Sequence, residues 1–68
     1  MKLSTRNQLA GTVREVVQDQ VMAKVKVDIG GGNVISSTIT VDAVNDLQLK
    51  VGDKVTVLIK ASSVMIGK

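Results

Sequence analysis

The residues best suited to chemistry in this chain sit in two short segments near its opposite ends. These are Ser4-Thr5-Arg6-Asn7-Gln8 and Lys60-Ala61-Ser62-Ser63. Each sets one permanent cation beside hydroxyls, and a bent backbone at either place adds exposed N–H groups. Charge combined with directed donors is what an oxyanion site requires. Arg6 is the sharpest single residue, because a guanidinium is always charged and its fork of donors suits a tetrahedral oxyanion. Ser4 adds a hydroxyl, and the backbone N–H groups of Thr5 and Ala61 add neutral donors. Taken alone, each segment has a plainer reading: an exposed arginine in a frayed terminus, and an ordinary strand-connecting loop.

The rest of the chain is chemically bare. It has no His, Cys, Trp, Tyr or Phe, and its six carboxylates are dispersed. No nucleophile–base pair is visible, so a binding protein is expected rather than an enzyme. Direct metal coordination is not expected either, since the usual nitrogen and sulfur ligands are missing. At 68 residues this is one small domain at most, with no disulfide staple. Hydrophobic residues make up 44% of the chain and none is aromatic. A core of that size rarely supplies more than roughly 3–5 kcal/mol. Self-association is the common remedy and is expected here. No apolar run is long enough to span a bilayer, and the N-terminus lacks the apolar stretch of a signal peptide. A cytoplasmic protein with no membrane partner is the expectation. The net charge of +3 is spread along the chain, which favours a solvated basic surface over a polyanion-binding one.

The elements that must position the two segments are strands. Val21, Ala23, Val25, Val27 and Ile29 alternate with Lys24, Lys26 and Asp28, the pattern of a half-buried strand. A strand before it runs from Asn7 to Val17, where Val16-Val17 breaks the phase and a bulge or bend is expected. Gln18-Asp19-Gln20 is a turn. Gly30-Gly31-Gly32-Asn33 is a hairpin loop needing positive φ, and no Lys-Ser/Thr follows to make it a phosphate loop. Val34–Val41 is the next strand. Asp42–Leu47 reads as one or two helical turns with Asp42 as N-cap, and Val44, Leu47 and Leu49 cover one end of the fold. Lys54–Lys60 is a strand with Leu58 on its otherwise polar face, a candidate subunit contact. Val64–Ile66 is a short last strand. Five strands with a helix between the third and fourth predict an all-β, small OB-like barrel. The first and fourth strands neighbour each other in such a barrel, so the two terminal segments can meet, within or between subunits.

Neither segment contains a carboxylate. A site made of donors prefers an anion that is fully deprotonated at neutral pH. Molybdate, tungstate and sulfate meet that condition, whereas phosphate keeps a proton over much of the range and wants an acceptor. The hydroxyls of Ser36, Ser37, Thr38 and Thr40 suit a strand in their own right. Ser37 and Thr40 are the candidates for ligands supplied by a second subunit.

Ser4-Thr5-Arg6-Asn7-Gln8-Leu9 with Gly11 resembles the Ser-Ala-Arg-Asn-Gln opening of the molbindins, the Mop family of small molybdate-binding proteins. Gly31-Gly32-Asn33, the serine-rich third strand and Ile59-Lys60-Ala61-Ser62-Ser63-Val64-Met65 resemble that family too. The resemblance covers essentially the whole chain. It implies that residues 1–68 form a single Mop/TOBE-like oxyanion-binding domain that assembles as a homohexamer, a trimer of dimers. It further implies molybdate or tungstate held between subunits for intracellular storage and homeostasis. Ser4, Arg6, Lys60 and Ser62 would contact the oxyanion, with the N–H groups of Thr5 and Ala61, and Thr40 would reach in from a neighbour. Asn7 and Ser37 complete the candidate set. Thr5 stands where the family usually has Ala, and Ala43 stands where a second hydroxyl is common. The alternatives are an OB-type nucleic-acid-binding module or a purely structural oligomeric subunit. The first is disfavoured because such modules stack bases on aromatic side chains, which this chain lacks.

Overall fold

A computed structural model describes residues 2–68. Strands β1 (Asn7–Gln18), β2 (Met22–Gly30), β3 (Asn33–Thr40) and β4 (Lys54–Ile59) form one antiparallel sheet, with helix α1 (Val41–Leu47) between β3 and β4. The strands lie in the order β3-β2-β1-β4. A 3₁₀ turn, Ala61–Ser63, follows β4. Among the described residues, no helix is long and apolar enough to cross a membrane.

The period-two pattern decides which face is covered. Val13 of β1, Ala23, Val25 and Val27 of β2 and Val44 of α1 are buried together, and Val16, Ile29, Ile39, Leu49, Val55 and Val57 pack around them. Branched side chains suit a pleated, half-buried surface. The β1–β2 turn is held by the Asp19 carboxylate, which accepts the N–H groups of Val21 at 2.9 Å and Met22 at 2.8 Å. Those two bonds, Met22's first, hold the Asp19 carboxyl below its usual range. In the β2–β3 hairpin, Gly31 and Gly32 sit between the paired Gly30 and Asn33 with φ of +64° and +80°. Positive φ at both central residues marks the two-residue turn that matches strand twist, as the triple glycine predicts.

The structure moves the irregularity in β1. Val13 pairs with Val27 but Glu15 pairs with Lys26, so the extra residue is Arg14, not Val16 or Val17. An inserted residue shifts the phase of everything after it, so the sequence shows the break two residues late. The bend fits a close approach at Gly11, where a Cβ would lie 2.5 Å from Val27 Cγ1 and 2.7 Å from the Asp28 carbonyl oxygen.

Three further expectations are corrected. The helix N-cap is Thr40 and not Asp42: Thr40 is extended, and its Oγ1 accepts the Ala43 N–H at 3.1 Å. Leu47 is 66% exposed and lies only at the margin of the cleft over Val13 and Val25, while Val44 is the residue α1 buries in the core. Val64–Ile66 is not a strand, and the four-stranded sheet stays open rather than closing into a five-stranded barrel. After the 3₁₀ turn this segment has no partner strand for its backbone groups, and Met65 and Ile66 are 92% and 90% exposed. The fold is dominated by β-structure, as expected, with one short helix.

Candidate functional site

The β1–β4 ladder brings the two terminal segments together. Its last pair is Asn7 with Ile59, preceded by Gln8 with Leu58 and Leu9 with Val57. Arg6 immediately precedes β1 and Lys60 immediately follows β4, each one residue beyond that last pair. Ser4 and Thr5 then precede β1 at one corner of the sheet, and Ala61 and Ser62 follow β4 at the same corner.

Two side-chain amides fix that corner. Asn7 Nδ2 donates to the Ile59 carbonyl at 3.0 Å, tying the start of β1 to the end of β4. Gln8 Nε2 donates to the Thr5 carbonyl at 2.8 Å and folds the segment back on β1. Asn7 is therefore placed as a clip, half-buried, with one of its two amide N–H groups donated to the backbone. Gln8 is the residue that the reading of site residues passes over. Its signal was its place in the Ser-Thr-Arg-Asn-Gln run.

Arg6 and Lys60 are exposed. The ion pairs among the described residues are Arg14–Asp28 and Lys26–Glu15, so neither corner cation is neutralised there. No Asp or Glu occurs in residues 1–14 or 54–68. The Ser63 N–H donates to the Lys60 carbonyl at 2.9 Å and the Val64 N–H to the Ala61 carbonyl at 3.3 Å. These turn bonds do not engage the N–H groups of Ala61 and Ser62. Ser4 and Ser62 are exposed and Thr5 is half-buried. The corner thus concentrates two cations, hydroxyls and backbone donors in a place without carboxylates. No group of three or more His, Cys, Asp and Glu residues that could hold a metal ion occurs among the described residues.

Ser37 and Thr40 lie elsewhere in the chain. Thr40 ends β3 opposite Met22, beside the far end of β1, where Gln18 pairs with Ala23. The 12 residues of β1 separate that end from the corner, about 36 Å along the strand at roughly 3.3 Å per residue. Ser37 is half-buried on the inner face, beside Ile35 and Ile39. Thr40 stands at the other end of β1 from Arg6 and Lys60, whereas Ser37 lines a cleft together with Val57 and Leu58 of β4. The Thr40 oxygen accepts from the Ala43 N–H, which leaves its hydroxyl proton to be donated outward.

A small open β-domain with a donor-rich corner at the end of its central ladder is the class of molecule described by these features. Residues 3–66 match the TOBE domain, and the chain belongs to that family. It is 52% identical over 67 residues to a probable molybdenum-pterin-binding protein of Haemophilus influenzae, covering 98% of this chain and 97% of the relative. A molybdate-binding protein from Sporomusa ovata has the same fold, with a TM-score of 0.93 at 47% identity over 100% of both chains. The cytoplasmic molybdate-binding protein ModG, solved with molybdate bound, superposes with a TM-score of 0.90 at 42% identity. That match covers 96% of this chain and 46% of ModG. The resemblance to the Mop family read from the sequence is borne out by these relatives.

Proposed function

We propose that this protein binds molybdate, and tungstate with it, as an intact oxyanion held by charge and hydrogen bonds where subunits meet. The observation that carries the reading is the juxtaposition of Arg6 and Lys60 past the Asn7–Ile59 pair, in a corner without carboxylates. Two cations match one dianion. The Arg6 fork addresses two oxygens at once. Lys60, the Ser4 and Ser62 hydroxyls and the N–H groups of Thr5 and Ala61 serve the others, while Asn7 holds the corner shut. Thr40 of a neighbouring copy donates its free hydroxyl proton, with Ser37 on the same strand. No bond from protein to metal is needed, and nothing in this arrangement performs catalysis.

The intersubunit site is supported by the distance between Thr40 and the corner within one chain. Self-association is supported by the small aliphatic core and by Leu58, 44% exposed on the outer face of β4. The reading is a single oxyanion-binding domain over residues 1–68, OB-like in its order of elements and assembled as a homohexamer. Its role is cytoplasmic molybdenum storage and buffering, in keeping with the cytoplasmic relative ModG. Elemental analysis for Mo and W on purified protein, with native mass and calorimetric titration, tests it. Bound Mo or W in a 7.2 kDa chain that assembles is the expected result. Protein that carries neither element and releases no heat with molybdate would overturn it.

A further inference from the structure

We infer that Gln8, with Asn7, sets which anions the Arg6–Lys60 corner accepts, by holding the carbonyl oxygens of Thr5 and Ile59 away from it. The inference rests on the function proposed above and assigns these two amides as positioning residues that decide specificity.

The carbonyls of Thr5, Ile59, Lys60 and Ala61 are all occupied. Thr5 O accepts from Gln8 Nε2 at 2.8 Å and Ile59 O from Asn7 Nδ2 at 3.0 Å. Lys60 O accepts from the Ser63 N–H at 2.9 Å and Ala61 O from the Val64 N–H at 3.3 Å. A peptide group is planar and trans, so its C=O and N–H point in opposite directions. Each tied carbonyl therefore holds the next residue's N–H facing away from the tie. Those N–H groups belong to Arg6, Lys60, Ala61 and Ser62, and among the described residues none of them donates to another group of the chain. Lys60 O and Ala61 O are tied by backbone donors, which almost any sequence supplies. Thr5 O and Ile59 O depend on side chains, and a carbonyl partner requires the amide nitrogen rather than its oxygen at each contact.

The consequence for a ligand is chemical. A carbonyl oxygen is a permanent acceptor, whereas the hydroxyls of Ser4 and Ser62 can rotate to donate. A carbonyl turned into the corner would repel a bare dianion and would accept the proton of a singly protonated one. No Asp or Glu occurs in residues 1–14 or 54–68 to take that role. With the Thr5 and Ile59 carbonyls drawn aside, a protonated oxygen loses two fixed acceptors, and an unpaired O–H carries the cost of its own desolvation.

Gln8 is the more informative of the two amides. Its side chain is exposed and its bond reaches back only three residues, so losing it removes nothing from the apolar core. Asn7 is half-buried and joins β1 to β4, so its loss also loosens the ladder. Releasing the Thr5 carbonyl through Gln8 changes the acceptors available at the corner and leaves Arg6, Lys60 and the hydroxyls in place.

Sulfate and phosphate separate specificity from general loosening. At mildly alkaline pH both are tetrahedral dianions of similar size, and only phosphate carries a proton. Their competition with sodium molybdate, measured by calorimetry on the full-length protein, gives a phosphate-to-sulfate affinity ratio for each variant. Gln8→Leu is expected to raise that ratio by about two- to tenfold, the worth of one hydrogen bond. It is also expected to weaken molybdate, because the released carbonyl repels a bare dianion. Gln8→Lys returns a donor to the Thr5 carbonyl, and its added charge acts on both dianions alike. Its ratio should fall back toward the wild-type value. Far-UV circular dichroism checks that both variants fold. A Gln8→Leu ratio equal to that of the wild type, whether sulfate and phosphate weaken together or not at all, would overturn the inference, as would a Gln8→Lys ratio as high as that of Gln8→Leu. Where the wild type still binds molybdate, the proposed function survives that failure. Absence of molybdate binding by the wild type removes both.

Discussion

Replacing Arg6 with alanine takes away the only guanidinium at the corner where β1 and β4 end together. Hydrogen bonds to charged groups contribute roughly 1.5–3 kcal/mol each. Arg6 is exposed and its interaction is partly screened, so the low end applies even for a forked contact. Since about 1.4 kcal/mol is tenfold in affinity, Arg6→Ala should weaken molybdate binding by at least about tenfold. Arg6→Lys should recover only part of the loss, because an ammonium cannot reproduce the fork. The comparison residue is Lys24, exposed on β2 and paired across the sheet with Val17 and Thr38. Lys24→Ala lowers the net charge by the same amount but should leave affinity almost unchanged. Isothermal titration with molybdate gives the constants, and circular dichroism checks the fold. Both truncations should leave the fold intact, because neither side chain belongs to the buried core. Equal, small losses from Arg6→Ala and Lys24→Ala would mean that diffuse charge holds the anion, and the corner would not be the site.

Molybdate and tungstate should be bound in preference to phosphate in competition calorimetry, because a protonated phosphate oxygen would face another donor; displacement of molybdate by equimolar phosphate would defeat the donor-only argument. Thr40→Val should cost about 0.5–2 kcal/mol of stability through the lost cap on α1 and should also weaken anion binding, while Thr40→Ser keeps both. A stability loss with unchanged affinity would leave Thr40 as a cap alone. Gly11→Ala should destabilise the chain by about 1–3 kcal/mol in urea titrations followed by circular dichroism, since the added methyl meets Val27 and the Asp28 carbonyl. Asp19 has a depressed carboxyl pKa in the folded chain, so its contribution is complete above the ordinary value near 3.8 and is lost as pH falls through the folded value. The stability advantage of the wild type over Asp19→Ala should therefore narrow below about pH 4; an advantage that is flat in pH would remove the charged acceptor from the account.

Strands and the glycine hairpin were legible because they are local. Val and Lys alternate through β2, and Gly31-Gly32 admits positive φ without strain, so both appear in the sequence as they do in the fold. The bulge was legible only as a phase error downstream of Arg14, because alternation records the count of residues and not the place of the extra one. Thr40 and Asp42 are both good caps, and the choice between them depends on where β3 releases the chain. Val64–Ile66 has the composition of a strand, but composition says nothing about which edge it pairs with. For the corner, the neighbouring of the first and fourth strands was readable from the order of elements. The Asn7–Ile59 and Gln8–Thr5 bonds that shape it span one long-range and one local contact, and only the second lies within reach of a sequence motif.

The smallness of the core and the position of the proposed site bear on each other. The buried set is four valines and one alanine, with no aromatic side chain anywhere in the sequence. Such a core contributes roughly 3–5 kcal/mol of net stability. A ligand at one hundred times its dissociation constant adds about 2.7 kcal/mol to the state that binds it. In a large domain that increment is minor, but here it is comparable to the whole margin of the isolated chain. Covering Leu58, Met65 and Ile66, all exposed in the single chain, acts in the same direction. A ligand site buried deep in this fold would compete with the few side chains that hold it together. A site at the end of the β1–β4 ladder removes none of them, and it stands beside the exposed apolar segment whose burial the chain lacks.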